Sequence, residues 1–260
     1  MKTLLTGYKG FIGSNLLKKL DELGYYVYCL DAQDNLDEVH LETIISQCDV
    51  VFHVGAISDT ELQDCNEMLY WNYEISKRIF NLASKYNVTV IYSSSAANYG
   101  EGNGIPTNIY GWSKLLAEEY GLKSCEKFVA LRYFNVYGPG EHNKGKMASV
   151  AYQAWKAGKF KLFPGNIKRD FVFVDDVVDA NIHALNATSG IYDVGTGTAE
   201  TFQDLVSGMG IDFEYHSKDK IPKWYQFFTQ ANKENFLPGW KPSNFVQDGT
   251  KKYTEYLINS

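Results

Sequence analysis

Five short apolar runs, residues 2–6, 25–31, 49–56, 88–95 and 128–134, alternate with stretches whose apolar residues recur at helical spacing. Runs this short read as strands, and a helix between successive strands is the connection that parallel pairing needs. The alternation therefore predicts an α/β chain with a parallel sheet and helices on both of its faces. In the first helix Ile12, Leu16, Leu20 and Leu23 recur at helical spacing, and Gly24 stops it before YYVYCLD. That apolar stripe should pack on the sheet. A chain of 260 residues with 45% hydrophobic content can bury one main core.

After about residue 138 the rhythm changes. The turn YGPGEH, a lysine-bearing loop, a helix near 148–157 and an FPG turn at 163–165 precede the strand DFVFV, a helix through Ala180 and the strand IYDVG. The remaining tail is aromatic and interrupted by prolines. The expected architecture is a Rossmann-type doubly wound parallel sheet, from residues 1–137 plus 170–198, with a smaller C-terminal substrate lobe from 138–169 plus 199–260. Ligands of such sheets bind in the crevice at the carboxyl ends of the strands.

Charge excludes one class of partner. The net charge is −6 and there are three arginines, Arg78, Arg132 and Arg169, so no basic surface exists to neutralise a nucleic-acid backbone. An anionic ligand must be met by helix ends and a few lysines, which suits a small phosphorylated molecule. The opening MKTLLTG is too short in its apolar part for a secretion signal and no run approaches membrane-spanning length, so a cytoplasmic location without a membrane partner is expected. Cys29, Cys48, Cys65 and Cys125 lack metal-ligand spacing and read as free thiols, with no metal site.

Gly7, Gly10 and Gly13 in TGYKGFIG lie between the first strand and the first helix. Glycine lets the backbone turn sharply and approach a pyrophosphate, whose charge meets the helix amino end; a simple turn is the alternative. Asp31 closes the second strand 18 residues after Gly13, where a carboxylate can accept both hydroxyls of an adenosine ribose, or merely cap a turn. Residues 20–76 contain no lysine or arginine to meet a ribose phosphate, so NAD is expected over NADP.

The fourth run ends in IYSSSAANYG, and a helix opens near YGWSKLLAEEY. Tyr110 and Lys114 are four apart and share a helical face. A phenol with its ordinary pKa near about 10 is a poor base, but an adjacent ammonium and an oxidised nicotinamide both favour its anion. Tyr110 could then exchange a proton with a sugar hydroxyl, with Ser95 bonded to the same oxygen. Two further pairs have this spacing, Tyr73 with Lys77 and Tyr152 with Lys156, and read as ordinary surface pairs. Only Tyr110 follows a serine-tipped strand, by 15 residues.

The three glycines, SSSAANYG, the Tyr110–Lys114 pair and RYFNVYGP together resemble the extended short-chain dehydrogenases that act on nucleotide sugars. Within that group FHVGA, NKGKMASVAY, KLFPG, KRDFVFVDDV, VGTGTAETFQ and WYQFFTQA resemble the ADP-glyceromanno-heptose 6-epimerase family. The resemblance implies inversion of one side-chain carbon through a transient ketone, with Tyr110 and Lys144 as two bases and Ser95 and Lys114 in support. It implies dinucleotide contacts from Gly7, Phe11, Ile12, Gly13, Asp31, Ala56, Asn72 and Lys114. Toward a nucleotide-diphosphate sugar it implies Ser95, Asn135, Lys144, Phe163, Gly165, Arg169 and Tyr225. It further implies a homo-oligomer supplying activated heptose for cell-surface polysaccharide such as lipopolysaccharide.

The loop after Pro139 departs from that family. Gly140 stands where arginine is common, Lys146 where serine is, and Gln153 where a histidine is, so Lys144 and Lys146 compete for one role. The family's usual cofactor is NADP, against the NAD expected from residues 20–76. Lys144 as a phosphate contact, a UDP-hexose 4-epimerase and a cofactor-sensing binding module all stay open. Ala96, Ala97 and Asn98 offer no paired carboxylates after Ser95, which disfavours a dehydratase.

Overall fold

The computed structural model describes residues 1–221 and 226–260. Its first part runs β1 (Lys2–Thr6), α1 (Phe11–Glu22), β2 (Tyr26–Leu30), α2 (Glu38–Ile45), β3 (Val50–His53), α3 (Cys65–Leu69), a π-helical turn (Tyr70–Glu74), α4 (Ile75–Lys85), β4 (Thr89–Ser95), α5 (Ile109–Ser124) and β5 (Phe128–Tyr133). There follow β6 (Asn135–Tyr137), α6 (Val150–Ala157), β7 (Lys159–Leu162), β8 (Lys168–Phe173), α7 (Val174–His183), β9 (Gly190–Val194), β10 (Ala199–Thr201), α8 (Phe202–Gly208), β11 (Asp212–Tyr215) and α9 (Val246–Asn259). Each of the five expected runs contains its strand.

Six strands form one parallel sheet in the order β2-β1-β3-β4-β5-β9. Alternate residues of each strand face opposite sides, so both faces must be covered. Leu4, Val51, Val90, Tyr92 and Ala130 pack against Leu41, Ile79, Phe80 and Ala117 of α2, α4 and α5. Their neighbours Leu5, Val50, Ile91 and Leu131 pack against Leu16 and Leu20 of α1 and Val177 and Ala180 of α7. The chain leaves β1 toward β2 on one side and β3 lies on the other, which opens the crevice of a doubly wound sheet at their carboxyl ends.

Two features were not legible beforehand. The third run stops as a strand at His53, not at residue 56, because the backbone turns under the first glycine. A Cβ built on Gly7 would stand 2.5 Å from Gly55 Cα, so the two loops touch through backbone alone. In addition β8 lies between β6 and β10 in a separate three-stranded sheet, and β7 pairs with β11.

One anchor of the tail is a carboxylate on α7. Asp176 in α7 is buried and accepts from Ser243 N at 3.0 Å, Ser243 Oγ at 2.8 Å, Asn244 N at 2.9 Å and Asn244 Nδ2 at 3.1 Å. Removing it strands several buried donors, so Asp176→Ala should cost roughly 3 kcal/mol in urea unfolding. A wild-type midpoint would mean that water replaces the carboxylate without penalty.

Candidate active site

A cavity of about 590 Å³ occupies the crevice and is lined by Gly7, Gly13, Asp31, Tyr110, Lys114 and Lys144 among others. Phe11, Ile12 and Ala56 also face it. Gly7 has φ +71°, a conformation that side chains resist, and a Cβ on Gly13 would lie 2.0 Å from the Gly7 carbonyl oxygen. The glycines therefore allow a turn too tight for any other residue. Gly10 caps α1 without a side-chain hydrogen bond, so the first-turn amides of this helix have no cap and suit an anion. The cradle, the bare helix end and the Asp31 carboxylate fit a nicotinamide dinucleotide.

Asp31 accepts from Ala32 N at 2.8 Å and from Lys9 N at 3.1 Å. The Lys9 ammonium lies 3.5 Å from Gln33 Oε1, in the turn that follows Asp31. A cation thus stands in the turn after Asp31, supplied from outside the lysine-free stretch 20–76. Asn72 does not line the cavity. Its amide is consumed by Ile57, accepting from N at 2.7 Å and donating to O at 2.9 Å, and by Ser113 Oγ at 3.0 Å. It clamps the loop after β3 to α5, so that Ala56 and Ile57 face the cavity while Asn72 itself does not.

Below the glycines Thr6 Oγ1 meets His53 Nδ1 at 2.7 Å, and His53 Nε2 meets Ser76 Oγ at 2.8 Å. Burial, and then the charge of Lys114, push the His53 imidazole down to about 3, so it is a neutral hydrogen-bond relay. It lines the cavity, and the sequence reading assigned it no role.

Tyr110 enters in the first turn of α5 because Asn108 caps that helix, accepting from Gly111 N at 2.8 Å. Gly111 lets the helix start lie against the turn after β4, where a Cβ would meet Ala97 O at 2.9 Å. Ser95 caps that turn, accepting from Ala97 N at 3.1 Å. Burial raises the half-buried Tyr110 phenol, and the Ser95 hydroxyl pulls it back down. Lys114 is buried with its ammonium 4.4 Å from the Tyr92 ring centroid. Burial lowers Lys114 to about 7, opposed by the Glu118 carboxylate. Its charge is therefore poised near neutrality instead of being permanent.

The two competing lysines part company. Lys146 is exposed and paired with Asp59 at 3.0 Å and Glu61 at 3.3 Å, which raise its pKa. Lys144 lines the cavity with its ammonium 5.2 Å from the Phe11 ring centroid, and burial lowers its pKa against the pull of Glu141. Glu141 staples the loop that carries Lys144. Its buried carboxylate accepts from Gly138 N at 2.9 Å and Ser149 Oγ at 2.8 Å, and also from Ser149 N.

Of the remaining expected contacts, none of the described ones lines this cavity. Asn135 is exposed at the start of β6 and Gly165 is exposed in its turn. Phe163 lines a second cavity of about 230 Å³ with Phe160, Phe202 and His216. Arg169 is buried, donating to Lys168 O at 3.0 Å and to Gln226 O. Its neighbour Asp170 accepts from Thr196 N and Oγ1, Gly197 N and Ala231 N. Tyr225 lies outside the described residues.

Residues 3–195 match the model of the NAD dependent epimerase/dehydratase family. The chain belongs to that family. This epimerase/dehydratase family member is similar throughout to solved nucleotide-sugar enzymes. It is 29% identical to the Helicobacter pylori ADP-L-glycero-D-manno-heptose-6-epimerase, with a TM-score of 0.87 over 100% of this chain and 96% of that one. It is 28% identical to the Thermotoga maritima UDP-glucose 4-epimerase, with a TM-score of 0.86 over 100% and 99% of the two chains. The fold is shared as well with the UDP-N-acetylglucosamine 4-epimerase of Methanobrevibacter ruminantium, at 24% identity and a TM-score of 0.87 over 99% and 98% of the two chains.

Of the residues singled out from the sequence, Gly7, Gly10, Gly13, Asp31, Tyr110 and Lys114 line the cavity of this family member, while Ser95 caps the turn beside it. Sequence reasoning missed His53, Glu141 and the buried pair of Glu118 and Arg132. A buried charged residue inside a helix pattern, such as Glu118 between Ala117 and Glu119, carries no local sign that distinguishes it from a solvated neighbour.

Proposed function

We propose that this chain is a nucleotide-sugar epimerase interconverting ADP-D-glycero-D-manno-heptose and ADP-L-glycero-D-manno-heptose by transient oxidation. The observation that carries the reading is that Tyr110, Lys114 and Lys144 line the same cavity as Gly7, Gly13 and Asp31, while Lys146 is drawn away by Asp59 and Glu61. Gly7, Phe11, Ile12, Gly13, Asp31 and Ala56 would hold the dinucleotide. Once bound, it supplies the hydride acceptor and donor.

In this reading Tyr110 Oη takes the proton of the hydroxyl being oxidised and Ser95 Oγ steadies the same oxygen. Lys114, lowered to about 7, lends a positive charge near the phenolate while it keeps its proton. Lys144 Nζ is the second proton carrier. Its pKa is lowered by burial, which brings it toward the working range of a general acid or base. Two carriers are needed because the planar ketone accepts hydride on either face. Asn135, Phe163, Gly165, Arg169 and Tyr225 are proposed on the nucleotide-sugar side. A homo-oligomer and a cytoplasmic location complete the reading; among the described residues no helix is long and apolar enough to cross a membrane.

Lys144→Ala is expected to slow hydride exchange with the bound dinucleotide by about 10²-fold with one epimer as substrate and far less with the other. Equal small losses for both would make Lys144 a phosphate contact instead. The substrate is tested by proton NMR of the purified protein, without added cofactor, incubated separately with ADP-D-glycero-β-D-manno-heptose and UDP-glucose. Conversion of the heptose supports the reading. Conversion of UDP-glucose alone moves it to a hexose 4-epimerase, the second reading, which the match to the Thermotoga maritima enzyme favours.

A further inference from the structure

Glu118 lies on α5 one turn beyond Lys114 and two beyond Tyr110, with none of its surface exposed. A buried carboxylate is costly unless its lone pairs are taken. Both oxygens are engaged here. Arg132 of β5 donates Nη2 to Glu118 Oε1 at 2.5 Å and Nε to Oε2 at 3.1 Å. Ser94 Oγ donates to Oε2 at 2.5 Å and Asn98 Nδ2 at 3.2 Å. Arg132 is fixed in turn, its guanidinium 4.5 Å from the Tyr99 ring centroid, and Tyr99 donates its hydroxyl to Asp193 at 2.6 Å.

These bonds join the tip of β4, the turn after it and the helix of Tyr110 and Lys114 to β5. Ser94 immediately precedes Ser95 at the end of β4, Asn98 and Tyr99 belong to the turn that Ser95 caps, and Glu118 shares a helix with Tyr110 and Lys114. A pair of apolar residues could fill the same volume without desolvating two charges, but could not dictate one register. We propose that Glu118 and Arg132 are positioning residues that lock the Ser95 strand tip to the Tyr110–Lys114 helix. The proposal rests on the reading of Ser95, Tyr110 and Lys114 as the reacting set.

Glu118 also acts on the ammonium directly. The groups that face Lys114 are Tyr110 and Glu118 on its own helix, Tyr92 on β4 and His53 on β3, which is neutral. Glu118 is the one carboxylate among these that opposes the effect of burial. Removing its charge lowers Lys114 further, whereas shortening it keeps the charge but breaks the span to Ser94, Asn98 and Arg132.

The test uses the full chain with ¹³Cε-labelled lysine, the Lys114 signal being assigned by its loss in Lys114→Arg. Glu118→Gln should lower the Lys114 titration midpoint by roughly one pH unit. Glu118→Asp should leave the midpoint within a few tenths of a unit yet lower turnover by about 10-fold or more at unchanged KM and cofactor content. A Glu118→Asp variant with wild-type turnover, or an unmoved midpoint in Glu118→Gln, overturns the proposal. If Glu118→Gln does not fold, Glu118→Asp still decides. If the wild type converts neither ADP-D-glycero-β-D-manno-heptose nor UDP-glucose, the functional reading fails, while the Lys114 midpoint, which needs no substrate, still judges the role of Glu118.

Discussion

Tyr110→Phe should lower turnover by about 10²–10⁴-fold while leaving the amount of bound dinucleotide and the thermal midpoint close to wild type. The substitution removes one oxygen from a half-buried ring and leaves α5, its Asn108 cap and the Gly111 contact intact. Ser95 keeps its bond to Ala97 N and so does not become an orphaned buried hydroxyl. What disappears is the group that exchanges a proton with the substrate hydroxyl. Cofactor content measured after denaturation, beside single-turnover rates with the sugar identified by NMR, separates the two effects. Unchanged activity would revive a module that binds the dinucleotide and carries out no chemistry through Tyr110.

Gly13→Ala is the second large effect, and it acts on the cradle instead of the chemistry. The added Cβ would stand 2.0 Å from Gly7 O, 2.7 Å from Gly7 C and 3.0 Å from Tyr8 Cα, all backbone, so no side chain can swing aside. Relief must come from moving the loop off the helix, at an expected cost of about 1–3 kcal/mol in stability. The same movement opens the anion site, and dinucleotide affinity should fall by at least about 10-fold, the equivalent of roughly 1.4 kcal/mol. Gly10→Ala is the matched control, since its Cβ would lie 3.2 Å from Gly7 O and a small shift accommodates it. Equilibrium dialysis of the two variants reads the difference; equal affinities would mean that the loop is free to relax.

Burial shapes the acid–base groups of this cavity in a common direction. It lowers Lys114, Lys144 and His53 and raises Tyr110, always toward the uncharged form. Single carboxylates then restore charge where it is useful, Glu118 at Lys114 and Glu141 at Lys144. Neither carboxylate faces the cavity. The polar groups that tune the site stand one layer behind the groups that would react.

The alternation of apolar runs with helical periodicity was enough to determine the parallel sheet, its first five strands and the helices on both faces. It also placed Tyr110 one turn before Lys114 and put three glycines at a strand-to-helix turn. These features are local: a helical repeat, a strand period and a turn conformation are each decided within a few residues. Only the tertiary structure decided that Lys9 stands in the Asp31 turn, that Asn72 clamps a loop instead of facing the cavity, and that Lys144, not Lys146, lines it. It alone paired Glu118 with Arg132 and Asp176 with the tail. Each of those outcomes depends on which distant segment brings a partner charge or hydrogen bond within reach. That is set by the packing of elements against one another, a geometry that no short window of the chain contains.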